Sequence, residues 1–236
     1  MADKKHLEKH SAGLSSYIKD IVYGANDGII TTFAIVAGVA GAGLSNAVIV
    51  ILGIANLLAD GFSMAASNYL GTRSENSLYR EEEKREIYEV DNLPEKEKEE
   101  IREVFEREGF DDGQTEQLIG LVSSNKRFWV DFMMKYELEM SPPTEGSEWK
   151  AASLTFLSFV LAGALPLTPF ILFSGNSANL LLYSSTATAV ALFLVGAARY
   201  FITKKNWFIS GLEMLLVGGV AAGVAYFVGS LIGGMM

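Results

Sequence analysis

Apolar residues in this chain fall into long unbroken blocks, and its polar residues form one block of their own. Ile21 to Thr72 carries only two charged side chains, Asp27 and Asp60, and Ala151 to Ala198 carries none. A membrane helix needs roughly 20 mostly apolar residues. The pattern therefore predicts five spans, at about 18–41, 46–72, 151–173, 179–200 and 207–233. Between the second and third lies a charged insert, about Arg73 to Glu148. All but seven of the 28 acidic residues fall between Arg73 and Ser147. The expected fold is an all-α membrane protein with five transmembrane helices and a three- to four-helix insert. Its expected divisions are 1–72, 73–148 and 149–236.

Within the insert, Arg73 to Tyr88 has neither Gly nor Pro and is rich in helix formers, so it should run straight out of the second span. Asp91-Asn92-Leu93-Pro94 should break it, with Pro94 suited to the first turn of a second helix ending near Gly109. A third helix is expected to begin near Thr115. A fourth, Asn125 to Met140, should end before Ser141-Pro142-Pro143.

At 100° per residue, Ile101, Val104 and Phe105 share one apolar arc of the second helix. Glu97 and Glu100 lie in or beside that arc, whereas Glu95, Glu99 and Glu103 point away. The same projection puts Glu75, Glu82, Glu86 and Glu89 on one side of the first helix with Leu78 and Tyr79. In the last helix Glu137 sits beside Trp129, Met133 and Met140. Carboxylates on a face that must pack require a cation. Two readings stay open: the eleven basic residues of the insert neutralise these acids, or a metal does.

Composition narrows the chemistry. The chain has no cysteine, so disulfides, thiolate metal sites and thiol nucleophiles are excluded. A net charge of −9 argues against a nucleic-acid partner, whose phosphates demand a basic surface. The two histidines, His6 and His10, lie in the polar N-terminal tail, so no Glu-x-x-His pair exists for a ferritin-like oxidase and no zinc-protease motif is present. No Gly-x-x-x-x-Gly-Lys phosphate loop is present either, so any transport must run on a gradient.

Lys4, Lys5, Lys9, Lys19, the bases of the insert, Arg199, Lys204 and Lys205 fall on one side of a five-span threading. The opposite connections, Gly41 to Asn46 and Ser174 to Asn179, carry none. The positive-inside rule then puts the N-terminus and the insert in the cytosol. The polar N-terminus does not read as a cleaved signal, and it shows no organelle address, which points to a prokaryotic plasma membrane rather than a vacuole.

Charged groups inside a membrane cost about 2.5–3.5 kcal/mol on insertion scales. Asp27 is either an ion ligand or proton acceptor, or an interfacial cap at a bend supplied by Gly24 and Gly28. In the second span Asn56, Asp60 and Met64 follow one another at four-residue steps, hence on one face. Carboxylate and amide oxygens suit Mn²⁺ or Fe²⁺, and a thioether biases the column towards more polarizable ions; Met64 as packing is the alternative. Glu213 in the fifth span reads as a proton carrier or a buried hydrogen-bonding group. Pro166 and Pro169 free carbonyls that neighbouring helices must satisfy, and Gly219-x-x-x-Gly223 and Gly229-x-x-x-Gly233 permit close packing.

Asn26-Asp27-Gly28, Asp60-Gly61-Phe62-Ser63-Met64 and Trp129-Val130-Asp131-Phe132-Met133-Met134-Lys135-Tyr136-Glu137 together resemble the vacuolar iron transporter family of iron and manganese transporters, over nearly the whole chain. The resemblance implies a homodimer with a path between the two first helices, proton exchange as the driving force, and a cytosolic three-helix insert that binds several divalent metals. It implies Asp27 and Met64 as pathway ligands, and Glu86, Glu89, Glu97, Glu100, Met133 and Glu137 as metal ligands of the insert. Some relatives carry a glutamate where this chain has Asn56. Here an acid appears one turn later, at Asp60, so the coupling carboxylate has either moved or been lost.

The expected function is export of Fe²⁺, with Mn²⁺ and other divalents as further substrates, from the cytosol by H⁺ antiport. Its pathway residues would be Asp27, Asn56, Asp60, Met64 and Glu213. No prosthetic group is expected; the partners are a second copy, the lipid bilayer, metal ions and protons. The alternative is a membrane-anchored metal sensor or storage module, and a membrane enzyme is the weakest of the three readings.

Overall fold

The computed structural model describes residues 17–173, 177–200, 204 and 206–235. Lys4, Lys5, Lys9, Lys205, His6 and His10, which contribute to the charge and histidine patterns, lie outside the described residues. Among those described there are helices and no strands. In order they are α1 (Ile18–Gly41), α2 (Asn46–Asn92), α3 (Pro94–Arg107), α4 (Asp112–Ser123), α5 (Lys126–Tyr136), α6 (Ser147–Gly163), a 3₁₀ turn (Leu165–Leu167), α7 (Thr168–Leu172), α8 (Ser177–Ala198) and α9 (Trp207–Gly233).

Five stretches are long and apolar enough to cross a membrane: α1, the apolar first half of α2, Ser147–Leu172, Ala178–Ala198 and α9. The chain divides into two compact units. One joins the residues up to Tyr69 with those from Trp149 onward, and the other is Leu70–Glu148.

Helix α2 is continuous for 47 residues, because its sequence changes from apolar to charged without a Gly-Pro break. The third span starts earlier than its hydropathy suggests, so Glu148, Trp149 and Lys150 form its first turn. It is interrupted where Pro166 and Pro169 remove backbone donors. There the Ser184 hydroxyl donates to the Pro166 carbonyl at 2.6 Å and Thr168 to the Leu165 carbonyl at 2.8 Å.

The membrane-type unit packs through glycines. A Cβ at Gly24 would strike Ser158 and the Thr155 carbonyl, and one at Gly28 would strike the Phe159 carbonyl. These two residues therefore admit α6 against α1. Helix α1 runs unbroken past Asp27 from its N-cap Tyr17, so Asp27 caps no helix end. Gly229 and Gly233 of α9 bring their helix onto Gly38 and Ala42 of α1, whereas Gly219 and Gly223 have nothing within 4 Å of a built Cβ.

The second unit is a small bundle with its own core, including Tyr79, Val90, Ile101, Val104, Ile119, Trp129, Phe132 and Met133. Its turns follow local chemistry. Pro94 opens α3, Gly109 follows it at φ +91°, and Asp111 closes a capping box with Gln114 at the start of α4. Asn125 accepts from the Phe128 amide at 3.1 Å to start α5, which ends four residues earlier than the aromatic pattern suggests.

Candidate metal centre

In the insert, the charged half of α2 turns Glu86 and Glu89 inward, and α3 turns Glu97 to meet them. One carboxylate oxygen from each of the three lies within 4.8 Å of the others. Glu86 is 3% exposed and Glu97 fully buried, while Glu89 is half-buried. Ligand oxygens on opposite sides of one small divalent ion are about 4.4 Å apart. The three oxygens are therefore spaced at most slightly wider than the ligands of one such ion.

The surrounding charges separate inner from outer acids. Arg85 pairs with Glu82 at 3.8 Å and with Glu89 at 3.3 Å, Lys96 with Glu100 at 2.8 Å, and Arg102 with Glu99 and Glu116 at 3.1 and 2.6 Å. Lys84 and Lys98 serve Glu81 and Glu95. Among the described residues no base reaches Glu86, Glu97 or Glu137 within ion-pair distance. One oxygen of Glu86, both of Glu97 and one of Glu137 are buried without a hydrogen-bond donor. Buried carboxylates are rarely left so, and salt-bridge neutralisation accounts for the rim of the cluster but not its centre.

Proton affinity reflects this. Burial pushes the Glu86 carboxyl up to about 7, reinforced by Glu137, Glu89 and Glu100 and only partly opposed by Arg85. Burial, then Glu100 and Glu86, push Glu97 up to about 8. Glu137 is also raised, by burial first and by Glu100 next. With both carboxyls ionised, Glu97 and Glu100 repel; a proton on either makes their contact a hydrogen bond. An oxygen set of this kind is chemically suited to a hard or borderline divalent ion. Met133 is fully buried in the core of the same unit, on α5, whose C-cap is Glu137.

In the membrane-type unit, Asp27 of α1 and Asp60 of α2 are near enough to interact electrostatically, and both are half-buried. Asn56 and Met64, also half-buried, stand one turn before and after Asp60 on α2. Glu213 stands apart: its side chain is 62% exposed on α9 and pairs with Arg199 at 3.8 Å.

A polar junction that the sequence pattern alone does not single out continues the α2 column by one more turn. Asn68 donates to Asp20 of α1 at 2.9 Å and to Thr155 of α6 at 2.7 Å, tying three helices together. Four-residue spacing from Met64 and seven-residue spacing from Asp20 to Asp27 are the signals that could have found it.

The family model of the VIT family matches residues 18–230. The vacuolar iron transporter of Toxoplasma gondii (strain ATCC 50861 / VEG) is 36% identical over 235 residues, covering 96% of this chain and 78% of that protein. Vacuolar iron transporter 1 of Arabidopsis thaliana is 32% identical over 222 residues, covering 94% of this chain and 88% of that protein. Vacuolar iron transporter 2 of Oryza sativa subsp. japonica is 30% identical over 223 residues, with 94% and 89% covered. The match runs through all five apolar stretches and the charged insert between them, and the chain belongs to the VIT family.

Proposed function

We propose that this protein carries Fe²⁺, with Mn²⁺ and other divalents as further substrates, out of the cytosol in exchange for protons. The observation that carries the reading is that Asp27 of α1 and Asp60 of α2 lie near enough to interact electrostatically, in spans otherwise nearly free of charge. Two neighbouring carboxylates without a basic partner among the described residues are costly within a bilayer and serve a cation or a proton. Asn56 and Met64 extend this column with an amide oxygen and a thioether, while Glu213, engaged with Arg199, stands outside it. The relatives, named as iron transporters, support iron as substrate and transport rather than catalysis as the activity.

In this reading the chain works as a homodimer with its insert on the cytosolic side. The Glu86–Glu89–Glu97 cluster, with Glu100, Glu137 and Met133 around it, captures metal before it reaches Asp27 and Met64. Exchange follows from competition: a carboxylate pair gives up a proton as the divalent ion arrives and recovers one as it leaves. The test is Fe²⁺ flux and coupled proton flux in proteoliposomes. Asp27→Asn should abolish both while the protein still reconstitutes, and full flux in that variant would remove Asp27 from the path.

The competing reading, a membrane-anchored metal sensor or storage module, draws on the acidic cluster. It predicts metal binding without metal flux, which the same vesicles distinguish.

A further inference from the structure

Between Arg73 and Ser147 the chain holds eleven basic residues among 21 acids. Lys84, Arg85, Lys96, Lys98, Arg102 and Lys126 each take a carboxylate, and Arg107 donates to the Tyr136 carbonyl at 3.0 Å. Four bases have neither kind of partner among the described residues. Arg73 stands near the start of the unit; the other three, Arg80, Arg127 and Lys135, all line one cavity of about 720 Å³ between the charged half of α2, α5 and the segment after α5. All three are exposed and Lys135 also lies over the Tyr136 ring at 5.1 Å, so their charges reach the cavity mouth without a carboxylate among the described residues within ion-pair distance.

A second observation points into the same space. Tyr79 is 7% exposed, lines this cavity, and its hydroxyl has no hydrogen-bond partner among the described residues. The ring is buried but the hydroxyl stays accessible, which leaves it a free donor on the cavity wall. The Ser141 hydroxyl adds another neutral donor to the wall. Glu83 and Asp131 also line the cavity and lie near the Tyr79 ring. Against three cations and two hydroxyls they set a threshold: a single negative charge gains little over their repulsion, whereas clustered negative oxygens can engage several donors at once.

We propose that this cavity binds a small polyanion, one that carries clustered phosphate or carboxylate oxygens. Helix α5 then works on two sides. Met133 lies in the core and Glu137 at its C-cap belongs to the glutamate cluster, while Arg127, Asp131 and Lys135, at four-residue steps, present the outer row to the cavity. The site does not depend on the metal reading of the glutamates, with which it shares no residue.

The test uses the full chain in detergent, stripped of metal by a chelator that is then removed. Pyrophosphate and citrate, one probe for each source of the chemistry, are titrated by calorimetry. At least one probe should saturate at one per chain. Affinity should fall tenfold or more in Arg80→Gln/Arg127→Gln and about threefold in Tyr79→Phe, and stay unchanged in Lys84→Gln, whose cation belongs to an ion pair outside the cavity. Should the double glutamine variant fail to fold, Tyr79→Phe and Arg80→Lys/Arg127→Lys decide instead. The first should lose about threefold, and the second should keep charge but lose affinity with the bidentate geometry. Equal affinity in wild type and the arginine and tyrosine variants, absence of saturation with both probes, or equal loss in Glu97→Gln, which would mean residual metal bridging, overturns the proposal.

Discussion

Single side chains carry most of the chemistry, and Glu97 illustrates how. Its carboxyl is raised to about 8 by burial and by neighbouring acids, so the folded chain holds a proton there that the unfolded chain releases near pH 4.5. Folding is then favoured most below that lower value, and the contribution is lost as pH rises through the folded value. Each tenfold difference in proton affinity between the folded and unfolded chain corresponds to about 1.4 kcal/mol. Thermal melts of metal-free protein should show stability falling between pH 5 and 8, and Glu97→Gln should flatten that slope and raise stability at pH 8. A stability that rises over this range in the wild type would contradict the buried-carboxyl account. Loading metal at pH 7 must also expel protons from Glu97 and in part from Glu86. Calorimetric heats in buffers of different ionisation enthalpy should therefore report about one to two protons released per metal bound. The inward direction of Glu97 was legible because Ile101 and Val104 fix the buried arc of α3. Which acids lack a basic partner was not, since that depends on where flexible Lys and Arg side chains settle.

At the scale of elements, hydropathy alone located the five apolar stretches, and Pro94 and Gly109 bracketed the second helix of the insert; the third starts at Asp112, three residues before the expected Thr115, because Asp111 and Gln114 form its capping box. The continuity of α2 was legible too, because Arg73 to Tyr88 carries neither Gly nor Pro where the apolar residues stop. Glycine roles were less legible. Gly219-x-x-x-Gly223 and Gly229-x-x-x-Gly233 look alike in sequence, yet only the second pair meets a neighbour, the α1 backbone at Gly38 and Ala42. A side chain at Gly229 must push two backbones apart, so Gly229→Val should lower the melting temperature in detergent by many degrees or prevent folding. Gly223→Val should melt close to wild type, and a large loss there would show that the open face of α9 is covered by something the chain alone does not provide. The Asn68 junction was missed for a related reason: four-residue spacing puts Asn68 on the Met64 column, but its partners Asp20 and Thr155 arrive from two other helices.

Taken whole, the molecule carries two groups of metal-capable ligands on one continuous helix, since α2 bears Asn56, Asp60 and Met64 in its apolar half and Glu86 and Glu89 in its charged half. Capture and translocation are separable roles, and kinetics can tell them apart. A capture site raises the local supply of metal, so its loss matters when metal is scarce and vanishes at saturation; a pathway ligand is needed at every turnover. Glu86→Gln/Glu97→Gln should therefore raise the KM for Fe²⁺ in proteoliposomes several-fold and leave the saturated rate within about twofold. Asp27→Asn should remove flux at all concentrations. If the double glutamine variant instead lost its saturated rate, the glutamate cluster would be part of the obligatory path. If it changed neither parameter, metal would reach Asp27 without passing through the cluster, and the buried unpaired carboxylates of the insert would serve proton binding instead.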